Sequence, residues 1–351
     1  QAHTAALILV QIVLAPWIVV LALRSLGLGR DGALAGGILA LSAGRQFFVW
    51  MLHFGTVGAA LSWAMAPAAF AFLHAAAVQG RVTRGTLTGL VASLFFMAQW
   101  TPTLLLTPVW AVLVLCAYRR WTPRRRLLPL AGAALLLALL LAHHLAAVLG
   151  GRELLSYTLD PAPARTPGVA ALWSAFQRAV GLGVVELHPL VSAFGLAGAW
   201  ALPGKRLRRW ATASLLGLTL LFTLGPLLAP RLQLERLAIV AGSLAVVPAA
   251  CNLRRLGQCR GPAATGLQAA ALALLLLGLA NTAGLYASRG FAPFTAMRPS
   301  LRQLAGWIRQ HVPEDGRLLF AGPAVHAYGR GHVAYLPLLT GREMMACDYY
   351  G

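Results

Sequence analysis

The chain is predicted to be an all-α polytopic membrane protein of about ten spans, ending in the start of an extracytoplasmic α/β domain. Three observations predict this. Of its 351 residues 59% are hydrophobic and 11% charged, and the mean hydropathy of +0.71 is far above that of a soluble globular domain. Apolar runs recur at a length that suits a bilayer, because a helix needs about 20 apolar residues to cross a hydrocarbon core about 30 Å thick. The 29 Lys and Arg residues lie in short clusters between those runs, and beyond residue 288 the composition becomes that of a water-exposed segment.

Taken in order, the runs give candidate spans at 5–23, 33–44, 55–79, 86–99, 101–118, 127–149, 188–203, 210–229, 235–251 and 266–287. The second and fourth are short enough to be re-entrant or half-spanning. The loops 24–31, 80–85, 119–126 ("RRWTPRRR"), 204–209 and 252–260 hold 16 Lys and Arg, against 3 (Arg45, Arg231 and Arg236) in the opposite short connections. The positive-inside rule therefore places the first set in the cytoplasm. A formal charge of +20 distributed in this way argues against nucleic acid as the partner.

Three segments fall on the outer side. The first surrounds Arg45–Phe54. The second is a loop at 150–187, where "SYTLDPAPARTPG" is turn-forming and "VAALWSAFQRAV" repeats Val169, Leu172, Trp173, Phe176 and Val180 at helical spacing. That spacing predicts an amphipathic helix lying on the membrane surface. The third runs from 289 to 351. In "SLRQLAGWIRQHVPEDGRLLFAG", Ser300 is the expected N-cap of a helix with Leu301, Leu304, Ala305 and Ile308 on one face, followed by a turn and a strand. A second strand is expected in "HVAYLPLL". The organisation is thus a transmembrane domain over 1–288 and the beginning of an α/β domain over 289–351. The chain starts on Gln1 and ends on "CDYYG", and both ends are expected to be truncated.

The candidate functional residues are polar groups without a topological reason to be where they are. Arg231 and Arg236 in "PRLQLERLAIVAG" face outward by the loop count, and a guanidinium matches phosphate oxygens bidentately. They are candidates for binding a lipid-linked phosphate; the alternative is that Arg236 pairs with Glu235 and snorkels to the headgroups. "VVELHPL" sets Glu186 and His188 where the chain re-enters the membrane. "GREMMACDYYG" gathers Arg342, Glu343, Asp348, Tyr349 and Tyr350. His188, Glu343, Tyr349 and Tyr350 are substrate-pocket candidates, and a solvated loop position is the plain alternative for each. Glu314 and Asp315 read as turn residues. No span carries a central carboxylate, which argues against a proton-coupled transporter; the polar exceptions are His74, His143 and His144. The four cysteines form no CxxC pair, so neither a disulfide framework nor a zinc site is expected. No other cofactor is indicated, and the outer carboxylates permit a divalent metal without specifying one.

The pattern as a whole resembles the GT-C class of integral-membrane glycosyltransferases. The resemblance rests on "GAALSWAMAPAAFAFLHAAAVQGR" and "QWTPTLLLTPVWAVLVL", on the "ERLAIVAGSLAVV" span with an arginine at its outer end, and on "LRQLAGWIRQHVPEDGRLLFAG". The tail "HVAYLPLLTGREMMACDYY" is similar to bacterial membrane proteins labelled 6-pyruvoyl-tetrahydropterin-synthase-related. The resemblance implies a multi-pass protein of the bacterial cytoplasmic membrane with its C-terminal segment outside. It also implies a polyprenyl-phosphate sugar donor, an acceptor glycan, lipid or protein, and an inverting transfer assisted by a carboxylate base. Arg236 matches the class's phosphate-binding arginine by position. The base does not match: the class places it in the first outer loop, whereas the only acidic residue before 150 is Asp31, on the cytoplasmic side. Glu186, Asp160 and Asp348 are the remaining candidates, unless the catalytic loop lies upstream of Gln1. The readings from other classes are a transporter or lipid flippase, and a non-catalytic membrane protein with a glycan-binding outer domain.

Overall fold

The computed structural model describes residues 9–43, 57–98, 110, 127–150, 168–182, 184, 187–202, 204–228, 234–289, 299–318 and 339–344. These are almost entirely helical. After a π turn at Val10–Leu14 come α1 (Ala15–Ser25), α2 (Arg30–Ser42), α3 (Val57–Ala77), α4 (Arg84–Met97), α5 (Leu127–Gly150) and α6 (Val169–Gly181). A second π segment, Val191–Leu196, leads to α7 (Lys205–Leu228). A 3-10 turn at Leu234–Leu237 opens α8 (Ala238–Gln258), which is followed by α9 (Pro262–Arg289) and α10 (Pro299–His311). Arg317–Leu318 (β1) and Glu343–Met344 (β2) pair in parallel, with Arg317 opposite Glu343.

The ten-span fold class is not borne out. Among the described residues one helix is long and apolar enough to cross a membrane, Pro262–Leu285 within α9. Some of the other apolar runs form short helices, and others carry charge at one end. At about 1.5 Å per residue, α2 and α4 reach only about 20 Å, well short of the hydrocarbon thickness. α7 begins with "KRLRR", and α8 carries Arg254 and Arg255 in its last turns. The expected run at 101–118 lies almost wholly outside the described residues.

α8 also shows why apolar composition overstated the spans. Its Val240, Ala241, Ala245, Val247, Ala249 and Ala250 are fully buried, because α1, α2, α3, α7 and the 191–196 segment surround it. A helix enclosed by protein needs the same residues as one enclosed by lipid. Small side chains let these helices approach closely: Ala64, Ala66, Ala69 and Ala71 of α3 are fully buried, and Gly195 lies against the Ala245 carbonyl with no room for a Cβ. Pro67 inside α3 has no N–H for the carbonyl of Trp63, and the Ser243 hydroxyl of α8 donates to that carbonyl at 2.8 Å instead.

α10 has Ala305 and Ile308 buried and Leu304 half-buried, as its spacing predicts. It begins at Pro299, however, so Ser300 lies inside the first turn. The expected strand after it starts at Arg317. The partner strand is at Glu343–Met344, and "HVAYLPL" lies outside the described residues.

Candidate functional site

The candidate site lies where α7 ends and α8 begins. Leu234 and Leu237, at the two ends of the 3-10 turn, are buried, and this fixes the backbone of the turn that carries Arg236. Leu234 packs onto Gly225 of α7 so closely that a side chain at Gly225 would collide with it. The turn leads into α8, whose N-terminus has no side-chain cap. The positive end of the helix dipole makes such an end favourable for an anion. The side chains of Glu235 and Arg236 lie outside what is described, as does the whole of Arg231.

Two residues from Gly225, α7 holds α6. Arg178 of α6 donates from Nε and Nη2 to the Thr223 carbonyl at 3.3 and 2.9 Å, and from Nη1 to the Ser174 hydroxyl at 2.9 Å. Ala175 is buried on the same side. α6 is therefore fixed by its polar face, close to the turn that bears Arg236. Neither Arg178 nor Thr223 stood out in the sequence, because a residue's contact with a carbonyl in another helix leaves no local pattern.

His188 stands at the entrance to the 191–196 segment. Gly195 meets Ala245, and Asn252 donates to the Phe194 and Gly198 carbonyls, both at 2.9 Å, so this segment runs parallel to α8. Its beginning, with His188, thus lies toward the same end of α8 as Arg236. The half-buried ring has both nitrogens engaged. The Leu190 N–H donates to Nδ1 at 3.2 Å, which leaves the proton of the neutral ring on Nε2. Nε2 donates to the Ser42 hydroxyl at 3.3 Å, and that hydroxyl donates to the Leu275 carbonyl of α9 at 3.0 Å.

The polarity of this chain decides its chemistry. In a nucleophile–base pair serine donates to histidine, whereas here histidine donates to serine. Ser42 and His188 form a junction joining α2, α9 and the chain before the π segment. Gly278 of α9 closes it, since a Cβ there would collide with the Ser42 hydroxyl and lie 2.7 Å from Nε2. Thr282 adds a hydrogen bond to the Leu41 carbonyl at 3.2 Å.

The remaining sequence candidates are placed as follows. The Glu343 backbone pairs with Arg317, and the neighbouring Arg342 is anchored through Nε to the Val312 carbonyl at 3.0 Å; the Glu343 side chain is outside the description. Glu186, Asp160, Asp348, Tyr349 and Tyr350 lie outside the described residues. His74 is buried with its ring edge-on to Trp210, at a centroid distance of 5.9 Å. The side chains of His143 and His144 are not described. Among the described residues no group of three or more His, Cys, Asp or Glu is placed to hold a metal. No protein-family model, curated protein or solved structure matches the chain.

Proposed function

We propose that the chain is a glycosyltransferase of the bacterial cytoplasmic membrane, moving a sugar from a polyprenyl-phosphate donor to an extracytoplasmic acceptor. In this reading Arg236, with Arg231 nearby in the sequence, takes the donor phosphate. The observation that supports it is the position of the Arg236 turn. It is fixed at the uncharged end of α7, at the N-terminus of α8, and beside a helix, α6, whose large apolar side chains face outward. A lipid-linked phosphate arriving from a bilayer would meet a guanidinium and a positive helix end together.

The chemistry assigns the roles. The bond between the anomeric carbon and the phosphate oxygen breaks as the acceptor oxygen attacks from the opposite face. The acceptor's proton passes to a carboxylate base, and the charge developing on the departing phosphate is offset by arginine. Glu186, Asp160 and Asp348 are the carboxylates to test as that base. His188 is a positioning residue, since both its nitrogens are engaged by the protein.

Arg236→Ala is expected to lower transfer from a polyprenyl-phosphate sugar in proteoliposomes by about 100-fold or more, the range for losing one charge-stabilising donor. Arg236→Lys should recover part of that loss while both variants accumulate normally. Unchanged turnover in Arg236→Ala would remove the phosphate-binding role.

A further inference from the structure

α6 is attached to the protein by the side that a soluble helix would turn outward. Val169, Leu172, Trp173, Phe176 and Val180 are all exposed, from 85% at Val169 to 46% at Val180. Trp173 and Phe176 stack on each other with centroids 5.4 Å apart. The inward side carries Ser174 and Arg178, and Arg178 is joined to α7 by its two bonds to the Thr223 carbonyl and to Ser174 by the third. Lys, Arg, Asp and Glu are all absent from the outward face.

The place where α6 is held indicates what covers that face. α7 has its charges, Lys205, Arg206, Arg208 and Arg209, in its first turn and a half, and none from Trp210 to Leu228. Thr223 is about 27 Å along the helix from Lys205, close to the thickness of a hydrocarbon core of about 30 Å. Leu216 and Leu220, one turn apart on the way to Thr223, are exposed as well. The α6 face therefore continues an apolar surface and sits one bilayer thickness from a basic cluster. α6 itself, at 13 residues, is about 20 Å long and too short to cross. A Trp–Phe pair on a helix of this length suits the boundary between headgroups and acyl chains.

We propose that α6 lies in that boundary, on the leaflet opposite the Lys205–Arg209 cluster, and that acyl chains cover its Leu172–Trp173–Phe176–Val180 face. Because this face is uncharged and Arg178 is bound to protein, its docking is independent of anionic lipid and of salt, despite the formal charge of +20 on the whole chain. The proposal rests on the reading that the protein sits in a bilayer, and it adds the helix, the leaflet and the kind of force.

The test uses the full chain with its native cysteines replaced, carrying one spin label at a time and reconstituted in nanodiscs of neutral phosphatidylcholine. Labels at 172, 176 and 180 are expected to collide with dissolved oxygen in preference to a water-soluble nickel chelate. A label at Leu276 of α9 should do so more strongly, and one at the exposed Arg309 of α10 should show the reverse. Raising salt from about 0.01 to about 1 M, which shortens the Debye length from about 30 to about 3 Å, should change the α6 values less than twofold. Nickel-accessible α6 labels beside an oxygen-accessible Leu276 label would overturn the placement of α6 and leave the membrane reading standing. Nickel access at α6 and Leu276 alike would overturn both. Shielding of the α6 labels from both reagents, with spin–spin broadening, would make the occupant a second copy of the chain and overturn the lipid assignment. Dependence on anionic lipid or on salt would overturn the neutral docking.

Discussion

Gly278 shows how much can depend on a missing side chain. It lies within a leucine-rich helix where nothing local requires glycine, and its role comes from the junction of Ser42, His188 and Leu275 packed against it. Gly278→Ala is expected to destabilise the protein by about 1–3 kcal/mol, the usual cost of forcing atoms into a filled site. The measurement is thermal unfolding in detergent, with Gly284→Ala, a glycine of the same helix with open space around it, as the control. Little of this junction was legible beforehand. His188 was singled out because a histidine beside Glu186 at a membrane entry looked like the wall of a pocket. Ser42 lies 146 residues away, and no spacing rule connects the two. A glycine within an apolar run was the available sign of close approach, though it names no partner.

At the scale of elements, the 191–196 segment depends on one side chain. Asn252 supplies donors to the Phe194 and Gly198 carbonyls together, and Asn252→Leu removes both. Each lost hydrogen bond is worth about 0.5–1.5 kcal/mol, so the amides of 191–202 are expected to exchange with solvent about tenfold faster. Hydrogen exchange measured by mass spectrometry reads this directly, and α10 should be unaffected. Individual elements were the most legible part of the sequence. The 3.6-residue spacing located α6 and the buried face of α10, and the charge clusters separated the helices from one another. Whether an apolar helix faces lipid or protein was not legible, because both surroundings favour Ala, Val and Leu. α8, enclosed by its neighbours, and α9, with exposed Leu267, Leu272, Leu276 and Leu277, read alike until their packing is seen.

At the scale of the whole molecule, α9 is, among the described residues, the element that fits a bilayer by length and by exposure. The intact chain is expected to resist extraction of membranes with alkaline carbonate. Leu276→Arg combined with Leu277→Arg should raise the released fraction several-fold, since each arginine at mid-membrane adds about 2.5–3.5 kcal/mol to the cost of insertion. The bond from Ser243 to the carbonyl that Pro67 leaves without its helical donor has one more consequence, which concerns time. Its ends are 180 residues apart in the chain. At about 5–20 residues per second, a ribosome needs roughly 10–40 s to travel from one to the other. For that interval the Trp63 carbonyl lacks its eventual donor and α3 lacks one of the helices it packs against. Until α8 emerges that face of α3 stays uncovered, and slowing translation between codons 77 and 238 would lengthen its exposure to misassembly.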